Sequence, residues 1–216
     1  MIETLFSSSY TGNTHIIICE NIEKSLKNLK ISFPNDGHDI YHLRRVCSYA
    51  LNIAKHIHNR GQVRMSLLIT GAYLHDLHRI STDWEWIEYI VRTISDEHSI
   101  SLEDLLFILH HHDDAKLYSD SCMEFRIIQD ADKLDRIGIN GIVRAIRFGA
   151  CIGEIYFDPN NSNNTLNHLM ELVSNWNVSK ECFNTIQAYK MSKKFKKDTI
   201  AFIRKSKVEW SGYYDC

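Results

Sequence analysis

Nine glycines and two prolines serve a chain of 216 residues. That is too little turn chemistry for a β-rich fold of this length, and it favours long helices. The apolar spacing agrees. Leu43, Val46, Ala50, Ile53 and Ile57 recur at intervals of three and four, one stripe along a helix. A first helix is expected over about 14–30, with Phe33-Pro34-Asn35-Asp36-Gly37 breaking the chain after it and Gly61 closing the next helix. A helix over about 63–78 would put Leu68, Gly71, Ala72 and His75 on one face. Thr82-x-x-Glu85 reads as a capping box, and Ser101-x-x-Asp104 and Ser121-x-x-Glu124 as further helix starts. Gly138 and Gly141 should interrupt before a helix over 142–151. Residues 156–164 read as a loop, with helices near 165–177 and 179–207 beyond it. The expectation is an all-α fold, a single helical bundle of about eight or nine helices in one domain spanning 1–216, its core at about 20–205.

Composition narrows the function classes. Net charge is −2, with 44% hydrophobic and 24% charged residues. Nothing in the bulk charge draws the chain to nucleic acid or an anionic membrane. The basic run Lys190, Lys193, Lys194, Lys196 and Lys197 has only Phe195 interleaved and reads as a solvated helix face, so nucleic acid is not expected as a partner. No apolar run approaches ~20 residues, so no membrane span is expected. Met1-Ile2-Glu3-Thr4-Leu5 lacks the pattern of a secretory signal, and the six cysteines form no Cys-x-x-Cys pair. A cytoplasmic location is the expectation. Exposed helical faces would suit a homodimer.

Three histidines and several carboxylates fall in or beside apolar helical stripes, where they need partners. His42 borders the stripe that begins at Leu43. His75 and Asp76 follow Leu74 on an apolar helix. Asp132 lies within Gln129-Asp130-Ala131-Asp132-Lys133-Leu134-Asp135. Singly these signals are weak, because a lone histidine on an apolar face is most often a satisfied core residue. Together, two imidazoles and two carboxylates can hold one divalent ion with positions left open for water and substrate. In His110-His111-His112 the three side chains point in different directions, and His112 lines up with Leu105 and Leu109.

The order His, His-Asp, Asp resembles the HD-domain superfamily of metal-dependent phosphohydrolases. The run from His38 to Arg45 is similar to its first motif, Leu74-His75-Asp76-Leu77 to its defining pair, and the segment 129–135 to its last motif. Ile137-Gly138-Ile139-Asn140-Gly141-Ile142-Val143-Arg144 and Asn167-His168 resemble a narrower branch that includes nucleotide pyrophosphohydrolases. The resemblance implies His42, His75, Asp76 and Asp132 as metal ligands. Mn²⁺ is the expected ion, with Mg²⁺, Fe²⁺, Co²⁺ and Ni²⁺ as alternatives.

The resemblance further implies that Asp76 helps to orient the attacking water, while Arg45 and Lys133 act beside the ligands. Arg45, His112, Lys133, Arg144 and His168 are the expected substrate contacts. Whether His111 or His112 meets phosphate is left open. Some HD nucleotidases carry a glutamate base three residues after the His-Asp pair. Arg79 stands there in this chain, which argues against that branch. The absence of a Gly-Tyr-Pro motif argues against a cyclic-di-nucleotide phosphodiesterase. The expected activity is hydrolysis of a small phosphate ester, a nucleotide, with pyrophosphate release from (deoxy)nucleoside triphosphates. A different phosphomonoesterase or phosphodiesterase and a non-catalytic metal-dependent nucleotide sensor are the alternatives.

Overall fold

Side chains that accept from exposed amides decide where these helices start. In the computed structural model, which describes residues 12–57, 63–114, 121–175 and 182–212, there are nine α-helices and no strand among the described residues. The all-α expectation and the helix number are borne out. The chain divides into two compact units, Met1–Gln129 and Asp130–Cys216.

In the first unit, α1 spans Gly12–Asn28. It ends in a left-handed turn at Lys30 (φ 56°). There the Ile31 amide donates to Leu26 O and the Lys30 amide to Lys27 O, the six-to-one and five-to-two pairing that closes a helix. α2 spans Ile40–Lys55, with Asp39 accepting from the His42 amide at its start. Gly61, expected to close it, lies outside the described residues. α3 covers Met65–Leu74 and is shorter than the predicted 63–78. The helix gives way around His75 and Asp76 to a 3₁₀ turn, Leu77–Arg79.

α4 spans Trp84–His98, and its start corrects the sequence reading. Asp83, not Thr82, is the cap, accepting from the Glu85 and Trp86 amides at 3.1 Å. α5 spans Leu102–His111 with Ser101 accepting from Asp104, as its spacing predicts. α6 spans Met123–Asp135 and runs across the unit boundary. Its Glu124 carboxylate accepts from the Arg64 amide (2.6 Å) and guanidinium (3.1 Å), tying α6 to the start of α3.

Every residue of α3 from Leu67 to Leu74 is buried, and α1, α2 and α5 pack against it. Each buried Leu or Ile contributes about 1.5–3 kcal/mol. Gly71 permits the close packing: a Cβ there would lie 2.8 Å from the Cδ1 atoms of both Ile108 and Ile128. The enclosed helix delivers His75 and Asp76 into the interior of this unit.

The second unit holds the rest of α6, then α7 (Gly138–Cys151), α8 (Thr165–Asn175) and α9 (Ile186–Ser211). Ile142, Phe157, Leu166, Leu169 and Ile203 form its core. Gly138 and Gly141 do not interrupt before α7; they are its first turn. Gly138 sits at φ 74° and donates to Thr199 Oγ1 at 2.8 Å. A Cβ on Gly141 would collide with the Arg136 backbone. α9 begins later than the predicted 179 because Asp130 grips the chain ahead of it. Its carboxylate accepts from the Asn184 and Thr185 amides, the Asn184 Nδ2 and the Thr185 hydroxyl.

Candidate metal centre

His42, His75, Asp76 and His112 meet inside the first unit, all at most 3% exposed. His42 comes from the first turn of α2, His75 and Asp76 from the end of α3, and His112 from the end of α5. The Nε2 atoms of His42 and His75 are 3.2 Å apart. Asp76 Oδ2 lies 3.1 Å from His42 Nε2 and 3.6 Å from His75 Nε2, and Oδ1 lies 3.4 Å from His112 Nε2.

The far side of two rings fixes their protonation. His75 Nδ1 is 2.9 Å from Ala72 O, and His112 Nδ1 is 3.2 Å from Leu109 O. A carbonyl only accepts, so both Nδ1 atoms carry the proton, and in the neutral rings both Nε2 atoms present lone pairs to the cluster. This is the arrangement by which a backbone carbonyl orients a metal-ligating histidine. Asp76 Oδ2 is buried with no aligned hydrogen bond.

The separations also suit one ion. Donors around a metal at about 2.1 Å stand about 3.0 Å apart in octahedral geometry. A convergence of lone pairs and a carboxylate, all out of water, fits a divalent cation. Burial alone would raise the Asp76 carboxyl; with the rings protonated instead, the charge of His75 and the Nε2–H donors of His112 and His42 hold it well below the usual carboxylate range, the part a cation would take over beside neutral rings.

Asp132 belongs to the second unit, on the part of α6 beyond Gln129. Arg136 donates to its Oδ2 at 2.6 Å, and Arg144 Nη1 stands 3.5 Å from Oδ1 and 3.6 Å from Asp135 Oδ2. Lys133 donates to Cys182 O at 3.3 Å, and burial pushes its ammonium down. His168 pairs with Glu154 at 2.7 Å on the edge of an open, mainly apolar cleft of ≈ 370 Å³. Arg45 lies three residues after His42 on α2 and is half-buried.

The histidine run divides as its helical directions require. His112 enters the cluster, His111 pairs with Asp114 at 3.0 Å, and His110 stacks on Trp84. One cationic residue next to an acidic one, Arg136, escaped the sequence reading, and Arg79 is noted there only in place of a glutamate base. Arg136 follows Asp132 by four positions and Arg79 follows Asp76 by three, the helical spacings at which opposite charges meet.

Residues 39–137 match the family model of the HD domain, and this stretch contains His42, His75, Asp76, His112 and Asp132. That stretch, a little under half of the chain, is similar to an HD domain. The protein YpgQ of Bacillus subtilis (strain 168), described as uncharacterized, is 27% identical over 128 residues, or 55% of this chain. The match spans 60% of that relative's length. Among solved structures, an HD-superfamily hydrolase from Bacillus thuringiensis superposes with a TM-score of 0.66 at 23% identity, covering 93% of this chain and 98% of the other. YpgQ in complex with ADP gives 0.61 at 20% identity, covering 90% and 97%. The Lin1889 protein of Listeria innocua gives 0.65 at 21% identity, covering 91% and 99%. These likenesses establish the all-helical fold. His75, Asp76 and His112 could hold a metal ion, and no helix among the described residues is long and apolar enough to cross a membrane.

Proposed function

We propose that this HD domain hydrolyses nucleotides, releasing pyrophosphate from nucleoside or deoxynucleoside triphosphates. His42, His75, Asp76 and Asp132 would hold one divalent ion, with Mn²⁺ the best match to mixed imidazole and carboxylate donors. The observation that carries the reading is the buried convergence of His42, His75, Asp76 and His112, with ring protons directed to backbone carbonyls. Asp132 joins the set on the family resemblance of the segment 129–135. The ADP in the YpgQ crystal supports a nucleotide as the substrate class.

A bound divalent ion would lower the pKa of a water and polarise a phosphoryl oxygen. In the reaction, water adds to the α-phosphorus and the bond from that phosphorus to the α–β bridging oxygen breaks. Nucleoside monophosphate and pyrophosphate leave, and a proton is released. Asp76 orients the water through its carboxylate. Arg144, beside Asp132, and Arg45, one turn beyond His42, would offset charge on the phosphoryl oxygens. Lys133 would join them by exchanging its bond to Cys182 O for one to phosphate. His112 would serve as a further ligand or as a phosphate donor, and His168 as a substrate contact.

The test is hydrolysis by metal-stripped protein resupplied with Mn²⁺, over a panel of nucleoside and deoxynucleoside triphosphates, with pyrophosphate resolved from orthophosphate. Pyrophosphate release that falls at least a hundredfold in both His75→Ala and Asp132→Ala supports the proposal. Full activity in either variant removes it. Orthophosphate as sole product points to a phosphomonoesterase, and binding without turnover to a sensor.

A further inference from the structure

Two features of the first unit lie at the C-terminal end of α5, whose cap His112 enters the histidine cluster. Trp84, the first residue of α4, is 45% exposed, yet its ring stacks on His110 with centroids 4.5 Å apart and planes 22° apart. Arg79, in the 3₁₀ turn after the His-Asp pair, reaches toward Asp76 Oδ1 at 3.7 Å and Asp113 Oδ2 at 4.0 Å. His110 lies in the last turn of α5 and Asp113 two residues past its end at His111, so both features touch the same helix end.

The chemistry of the two features differs in a useful way. The Arg79 guanidinium is held between carboxylates at distances too long for hydrogen bonds, and its side chain is 40% exposed. Its planar fork therefore has donors to give to a phosphate, which accepts them in pairs. Its nearest carboxylate belongs to the metal cluster, so a phosphate taken by Arg79 would lie beside that cluster. The Trp84 ring is braced on one face by His110 and open to solvent over much of its surface. An exposed aromatic face held flat in this way takes a nucleobase by stacking, with little preference for which base.

We propose that Arg79 and Trp84 form a nucleotide-recognition rim beside the cluster, Arg79 receiving a phosphate and Trp84 the base, with His110 bracing the indole. The inference deepens the phosphohydrolase reading, on which it rests, by naming what distinguishes a nucleotide from a bare polyphosphate. It also gives a role to Arg79 at a position where some HD nucleotidases carry a glutamate base, since here the same position supplies a cation to the substrate.

The test is equilibrium binding of two probes, ADP and inorganic pyrophosphate, to the full chain loaded with Mn²⁺. Trp84→Ala is expected to weaken ADP about tenfold and leave pyrophosphate within twofold, with Trp84→Phe restoring ADP. Arg79→Ala is expected to weaken both probes about tenfold. The proposal is overturned if Trp84→Ala binds ADP as the parent does, or loses both probes equally. Turnover measured in parallel separates the two readings. ADP binding that depends on Trp84 in a protein without hydrolysis removes the proposed function and keeps the rim. Nucleotide hydrolysis with an unchanged KM in Trp84→Ala removes the rim and keeps the function.

Discussion

His42 and His75 bring their Nε2 atoms to 3.2 Å in a fully buried site, while the other ring nitrogen of His75 donates to Ala72 O. His75 offers a lone pair there, and His42, once its Nε2 proton is given up, offers a second, so a divalent ion can replace the hydrogen bond between the rings. A bound divalent ion should therefore stabilise the fold. At a free metal concentration one hundred times Kd the gain is about 2.7 kcal/mol. For a domain of this size that is a rise in Tm of roughly 5–10 °C. Thermal melts of chelator-treated protein with and without Mn²⁺ read it directly, and His75→Ala should abolish the rise.

Gly71 is where α3 lets its neighbours in. A Cβ would meet the ends of the Ile108 and Ile128 side chains at 2.8 Å each. Those termini can rotate, so Gly71→Ala should cost about 1–3 kcal/mol rather than prevent folding, and Gly71→Val should cost more. Urea unfolding gives the difference, and an unchanged midpoint in Gly71→Val would contradict the packing.

Glu124 ties α6 to α3 through Arg64, and the tie should depend on pH. Burial pushes the Glu124 carboxyl up, but the Arg64 guanidinium and amide more than offset this and hold it below its usual 4.5. A folded-state value below the unfolded one contributes stability that is complete above about pH 4.5 and is lost as pH falls through the folded value. Glu124→Gln should thus be less stable than the parent by about 1–3 kcal/mol at pH 7. The gap should narrow as pH falls below about 4.5 and through the folded value. Urea midpoints at pH 7 and in the acid range supply the comparison.

Asp130 and Asp132 are two residues apart and should fail in different ways. Asp130 accepts four hydrogen bonds from Asn184 and Thr185. Asp130→Ala leaves those donors without an acceptor and should cost roughly 3–5 kcal/mol. Asp132→Ala should remove activity and metal affinity with a smaller loss of stability. Unfolding and metal titration on both variants distinguish the structural carboxylate from the proposed ligand.

Much of the fold was legible because it rests on local rules. Scarce Gly and Pro, the three-and-four spacing of Leu43 through Ile57, and the Ser101 cap all act within a few residues. The sequence reading failed where another group overrode the local signal. Asp83 displaced Thr82 as a cap. Gly138 became the start of a helix because Thr199, 61 residues on, accepts its amide. The start of α9 moved to Ile186 because Asp130 holds Asn184 and Thr185.

The site divides the same way. Residue types and their order were enough to pick out the groups with the chemistry for a metal: His42, His75, Asp76 and Asp132, in an order shared with HD domains. Which atoms face one another was settled by packing. Packing turned the Nε2 atoms of His75 and His112 inward by giving their Nδ1 protons to backbone carbonyls. It committed Asp130 to the chain ahead of α9, and it brought Trp84 and Arg79 to the end of α5. Helical periodicity fixes which face a residue takes on its own helix, but the convergence of three helix ends on one point depends on how α2, α3 and α5 pack.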